Sequence, residues 1–219
     1  YHFDAAEEYA SALPYALAAA EQARSQHSLE VAEQQYRIAR RGEDSVDQLT
    51  RYRIREGLGD VLMLRGRYDE AQQVFEAAAE VAEGDYARAQ IVGRLGELDF
   101  KRGDMKRATQ YVETALRLLG WTYPQKMPWC VFALVWAAAI QSLHTLFPSV
   151  FLGRRKRKPP DIERLRLRLH SRLAYVYWFT RGKLQPFLTH LHGMNLAEKY
   201  LPTAELGQIY SEHSMGMTI

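Results

Sequence analysis

Cysteine is almost missing from this chain. Cys130 is the only one, so an internal disulfide and a thiolate metal cage are both excluded. No basic region followed by an apolar run stands at the N-terminus, so secretion has no support and a cytoplasmic setting is expected. No stretch alternates apolar and polar residues long enough to form a half-buried strand. A Gly-rich phosphate loop ending in Lys-Ser or Lys-Thr is absent, as is any His-Glu-x-x-His sequence. His190 and His192 are two positions apart, so on a helix they point to different faces and cannot share a metal. His170 has no evident partner, and Cys130 sits in an apolar run where a thiol is inert packing. No catalytic residue, metal or cofactor is expected, and the chain does not read as an enzyme.

Lysine is missing from the first hundred residues. That half holds eleven arginines against nineteen carboxylates, whereas residues 101–219 hold eighteen cations against seven carboxylates. Opposed halves suggest electrostatic complementarity from end to end, within a parent polypeptide or with a partner. The chain begins at Tyr1 rather than Met and stops at Ile219 within a helical pattern, so it is expected to be a segment of a longer polypeptide.

What is present is helix-forming and repetitive. Runs such as Ala16 to Ala20 and Ala77 to Ala79 favour helix, because Ala loses no side-chain entropy there. The class is all-α. Leu58-Gly59 recurs as Leu95-Gly96, a shift of 37 that also carries Gly66 to Gly103, Tyr68 to Met105, Ala71 to Ala108, Phe75 to Val112 and Ala78 to Ala115. Each copy reads as two helices joined at a glycine that can take positive φ. Ala71, Phe75 and Ala78 share one helical face. Small residues at Gly59 and Ala71 let the two helix backbones approach, with Phe75 filling the groove beside them.

Leu-Gly, a glycine seven further on, then aromatic, Ala, aromatic and Ala at these offsets resembles the tetratricopeptide repeat. Residues 52–85 match almost completely and residues 89–122 match well, with Met105 and Val112 in place of the usual aromatics. A degenerate first copy spans residues 13–46 through Ala20, Ala23, Ala32, Tyr36 and Ala39, its turn Gln26-His27-Ser28 lacking glycine. The resemblance implies a superhelix of antiparallel helix hairpins that binds a protein or peptide along the concave face made by the first helix of each repeat. By helical geometry that groove presents Arg53, Glu56, Asp60 and Met63 from the second copy, Gln90, Glu97 and Phe100 from the third, and Leu17, Glu21 and Arg24 from the first. Such a mixture suits a ligand with basic and apolar anchors. Charge reversal at Glu56 and Asp60 is then expected to impair capture while leaving the helix content intact. The carboxylate-clamp pattern of some family members is not met, since Leu17, Glu21, Gly57, Gln90 and Arg94 occupy the comparable positions.

Past Leu119-Gly120 the pattern changes. Residues 129–147 carry no charge and are followed by Arg154-Arg155-Lys156-Arg157-Lys158 and Pro159-Pro160. A helix buried on several sides by its neighbours is the favoured reading, with contact of 129–158 with a membrane as the alternative. The basic run lacks aromatic interleaving, so no nucleic-acid partner is expected and 123–160 reads as apolar helix plus exposed linker. Helix resumes at Asp161, read as an N-cap. Leu165, Leu169, Leu173 and Tyr177 step by four, a second helix follows from about Leu184, and a third starts near Pro202, making 161–219 a degenerate helical continuation. Ala115 to Gly120 before a proline break, the uncharged helix with its basic linker, and Asn195-Leu196-Ala197-Glu198 ahead of Pro202-Thr203-Ala204-Glu205-Leu206 resemble the repeat region of large bacterial signalling ATPases, many of which carry a nucleotide cyclase or kinase domain. That resemblance implies a sensor or regulatory segment of a signal transducer. A free-standing adaptor and a membrane-anchored assembly factor are the other two readings.

Overall fold

The structure, a computed structural model, describes residues 8–216, with side chains through residue 212. Among the described residues every regular element is helical, as the all-α expectation required. The chain divides into two compact units, residues 1–102 and 103–219, a boundary that falls inside the third sequence copy.

The first unit holds α1 (Tyr9–Ser25), α2 (Leu29–Arg41), a 3-10 turn (Glu43–Ser45), α3 (Gln48–Leu64), α4 (Tyr68–Glu80) and α5 (Gly84–Arg102). Each helix packs on the next, and α3 also touches both α1 and α5. Gly66 closes the α3–α4 turn at φ 77°, where the Arg67 N–H donates to the Leu62 carbonyl five residues back. The turn that lacks glycine, between α1 and α2, has the same form. His27 takes φ 59° and the Ser28 N–H donates to the Ala23 carbonyl, so a histidine stands in the left-handed conformation that glycine supplies elsewhere.

The repeat positions form the core of this unit. Leu58, Ala71, Phe75 and Ala78 are wholly buried, as are Ala32 and Ala39 with Tyr36. Two glycines of α3 set the spacing. A Cβ on Gly59 would sit 2.5 Å from Phe75 Cε1, and one on Gly57 would sit 2.3 Å from Tyr36 Cζ. Two residues along a helix turn the direction by about 200°, so α3 receives one ring on each side. Leu95 and Gly96 are likewise buried in α5, while Tyr68 is half-buried at the start of α4.

Ion pairs join helices of neighbouring repeats. Arg53 meets Glu21 at 2.7 Å, Arg37 meets Glu70 at 2.8 Å, Arg65 meets Glu33 at 2.6 Å, and Arg102 meets Asp69 at 2.6 Å. Glu33 is buried and also accepts from Arg37 and Arg67. Burial pushes its carboxyl up, but these guanidiniums outweigh that and hold it below the usual carboxylate range. A guanidinium fork reaches two carboxylates at once, which a lysine ammonium does poorly, and this fits an all-arginine cation set.

The second unit holds α6 (Met105–Leu118), α7 (Met127–Leu146), the short α8 (Pro148–Phe151), α9 (Asp161–Thr180), α10 (Leu184–Ala197) and α11 (Ala204–Gly216). Gly103 has φ 85°, Asp104 caps α6 by accepting from the Arg107 N–H at 2.9 Å, Met105 is half-buried, and Ala108, Val112 and Ala115 are wholly buried. Within this unit α6 packs on α9. Glu113 accepts from the Tyr177 hydroxyl at 2.7 Å and from Arg181 at 2.8 Å, and Arg166 donates to the Leu119 carbonyl at the end of α6. Leu165, Leu169, Leu173 and Tyr177 form the buried stripe of α9. Asp161 is the first residue of that helix and Pro160 its N-cap, so the expected cap is displaced by one residue. α10 folds back on α9 after Gly182, and α11 packs on both.

The apolar segment requires a correction. α7 packs on α10 with only Cys130, Ala137 and His144 buried, one stripe at every second turn. It is therefore not a helix buried on several sides. Trp129, Phe132, Val135 and Trp136 are each more than three-fifths exposed. Cys130 is buried, its thiol donating to the Pro124 carbonyl at 2.9 Å.

His170, which lacked an evident partner in the sequence, lies in an aromatic box. Tyr123 Oη is 2.6 Å from His170 Nδ1, and Trp121 presents its ring edgewise to His170 and His192 at 5.1 and 5.4 Å. Burial, reinforced by His192 and Arg166, depresses the His170 pKa to about 3. Burial and Lys199 depress that of His192 to about 4. Unfolded imidazoles accept protons near pH ~6.5, so below that pH the unfolded chain binds protons that the folded chain refuses. The contribution of these two histidines to stability is therefore full above pH ~6.5 and falls with acidification until the folded pKa values are reached, by up to ~1.4 kcal/mol per pH unit for each histidine. Urea unfolding between pH ~7 and ~5 should show this slope, and His170→Phe should reduce it by about half.

Candidate partner-binding surface

The first helices of the three copies, α1, α3 and α5, lie side by side within the first unit. Asp47 caps α3, accepting from the Thr50 N–H at 2.8 Å, and so fixes which face the following residues present. From that face Glu56 and Asp60, one helical turn apart, meet cations on both neighbours. Arg24 of α1 approaches Glu56 at 3.2 Å and Asp60 at 3.5 Å. Arg94 of α5 approaches Asp60 at 3.2 Å, Glu97 at 3.3 Å and Glu56 at 3.7 Å. Gln90 donates to Glu56 at 3.2 Å.

Burial decides what these charges can do. Glu56 is 7% exposed, and burial lifts the Asp60 carboxyl above its usual range despite Arg94 and Arg24. Burial lowers the pKa of Arg24 and Arg94, but the facing carboxylates outweigh it and both guanidiniums end above their usual range. The acids expected to await a basic ligand are thus already neutralised inside the protein. Arg24 and Arg94 are the residues that sequence reasoning did not pair with them. The signal was available in the spacing, since Arg24, Glu56 and Arg94 follow one another by roughly one repeat.

Met63, expected on the groove, is core at 2% exposure, and Leu17 is buried as well. Gln90, Glu97 and Phe100 are half-buried. Arg53 is exposed and ion-paired to Glu21. That pair stands at the rim of an open cleft of about 560 Å³ between α1 and the start of α3, floored by Leu13, Leu17 and Val46 and flanked by Ala18. Of the expected groove, this end combines apolar floor, free space and accessible charge. Among the described residues no group of His, Cys, Asp or Glu is arranged for a metal.

The Tetratricopeptide repeat family model matches residues 50–119, from the first turn of α3 to the end of α6. No curated protein and no solved structure matches the chain.

Proposed function

We propose, from a chain that carries tetratricopeptide repeats over residues 50–119, that its first unit is a non-catalytic scaffold which captures a protein segment in the α1–α3 cleft. The observation that carries this reading is the contrast along one surface. Glu56, Asp60, Arg24 and Arg94 are committed to one another, whereas the cleft beside Glu21 and Arg53 is open. A short helix or extended peptide with an apolar anchor for Leu13 and Leu17, and charges that exchange with the Glu21–Arg53 pair, fits it.

The wider setting we infer is a cytoplasmic signal transducer in which this chain is the sensor or assembly arm, with activity residing in other domains. The short motifs between Ala115 and Leu206 that resemble signalling ATPases support that reading, and the sequence of the full-length gene separates it from a free-standing adaptor.

Ala18→Trp fills the cleft from an exposed position, and Arg53→Glu reverses its rim charge. Both variants should keep the parental thermal midpoint and lose at least about tenfold in recovery of the bound protein from source lysate, the cost of about 1.4 kcal/mol of lost contact. Undiminished recovery with both variants rejects the cleft as the binding surface.

A further inference from the structure

α7 is an unusual helix for a protein surface. It is long and apolar enough to cross a membrane by length and composition, yet it is attached to the second unit by a narrow stripe. A helix that is apolar all round finds its low-energy place either inside a core or in contact with lipid. Here Trp129, Phe132, Val135, Trp136, Leu143 and Leu146 all face outward, and the apolar surface continues through Phe147 and Val150 of the following turn. Contiguous exposure on this scale marks a docking surface.

The charges around it identify the partner. No Asp, Glu, Lys or Arg occurs from Met127 to Gly153, so no acidic side chain of α7 or α8 opposes an anionic surface. Lys126 stands immediately before α7, and Arg154, Arg155, Lys156, Arg157 and Lys158 follow α8, all exposed. The loop that carries them is fixed to α10 and its end: the Gly153 N–H donates to the Glu198 carbonyl at 2.7 Å, the Arg155 N–H donates to the Lys199 carbonyl at 3.0 Å, and the Leu201 N–H donates to the Arg157 carbonyl at 3.1 Å. Cations therefore bracket the apolar helix at both ends, with tryptophans among its exposed residues, the pattern of an interfacial helix on anionic lipid.

The attached stripe distinguishes lying on a bilayer from crossing it. His144 Nδ1 is 2.6 Å from Glu198 Oε2, Gln141 donates to Glu198 at 3.1 Å, and Asn195 donates to the Ala137 carbonyl at 2.9 Å. Tyr210 of α11 also donates to Glu198 at 2.6 Å. A spanning α7 would carry a buried carboxylate and the helix end that bears it into hydrocarbon, which is costly. Lying flat keeps every one of these bonds.

We propose that α7 and the loop 154–158 form a membrane-docking surface, with the helix seated at the headgroup–acyl boundary of a bilayer rich in anionic phospholipid and the loop cations on its phosphates. The inference is independent of the α1–α3 cleft.

The full chain is mixed with vesicles of phosphatidylcholine alone and of phosphatidylcholine with phosphatidylserine, then floated on a density gradient while tryptophan emission is recorded. The chain should float with the anionic vesicles and shift its emission to the blue, and raised salt should weaken both. Lys156→Glu with Lys158→Glu should lower the partition on the order of tenfold. Phe132→Ser with Trp136→Ser, at exposed positions that leave the far-UV helix signal unchanged, should abolish flotation. Equal flotation with neutral vesicles, or none with either, overturns the proposal. So does retention in the membrane after alkaline carbonate extraction, which indicates spanning. Self-association in sedimentation that Trp136→Ser abolishes, without vesicle binding, assigns the face to a second copy and overturns it as well.

Discussion

Gly59→Leu should lower the unfolding free energy by about 2–3 kcal/mol, because the new side chain has no space that Phe75 does not already hold. The geometry is restrictive from the first added atom, with a Cβ on Gly59 falling 2.5 and 2.6 Å from two carbons of a fully buried ring. A smaller substitution gives the sharper diagnosis. In an exposed helix interior Gly→Ala stabilises by about 1 kcal/mol, since alanine restricts the unfolded backbone. At Gly59 the same change should destabilise, and in a Phe75→Leu background it should recover most of the normal gain. Denaturant midpoints of the two singles and the double measure this coupling. A stabilising Gly59→Ala in the parent chain would show that α3 and α4 do not meet where the structure places them.

Glu56→Lys combined with Asp60→Lys should lower stability by about 3–5 kcal/mol, the scale observed when buried ion pairs lose a partner. The substituted lysines would join Arg24 and Arg94, leaving cations without the carboxylates that now face them. The sequence alone suggested that this double reversal would impair capture of a partner and leave the helices intact. Burial of Glu56 changes the expected outcome to partial loss of helix and a lower thermal midpoint. Glu56→Gln should cost less, since an amide keeps the hydrogen bond from Gln90 without adding repulsion. An unaltered melting curve for the double reversal would mean that the acids face solvent.

The repeat was legible because its requirements are steric and local. Leu58, Ala71, Phe75 and Ala78 occupy niches whose sizes recur, and each is fully buried. Even the irregular turn keeps its backbone, though histidine replaces glycine at position 27, so the left-handed conformation there was hidden by residue type. The role of Gly57 was harder to read than that of Gly59, because its ring partner, Tyr36, comes from the preceding copy. The ion pairs were missed for a similar reason. Arg24 and Arg94 lie on different helices from Glu56, and only after the period is imposed do they fall opposite it.

Other features lay beyond periodicity. Residues 129–147 are apolar on every side, so nothing in their spacing says which face packs, and only contact with α10 selects Cys130, Ala137 and His144. The aromatic box around His170 joins residues 47 positions apart from Tyr123, with no repeat to predict the meeting. The surviving part of the expected groove is likewise set by burial: Met63 lies in the core although helical phase alone assigned it to the surface, and Leu17 keeps only the small exposure that floors the cleft.

Because Tyr36 and Phe75 seat against opposite sides of the same helix, α3 belongs to two hairpins at once. Opening either hairpin strips a ring from its notch in α3, so the helix they share couples each to its neighbour through a nearest-neighbour term. Amide protons of α2 and α4 should consequently exchange through one shared opening, and an insertion or slip in α3 would be felt equally upstream and downstream. Such a joint transmits strain between neighbouring modules rather than absorbing it.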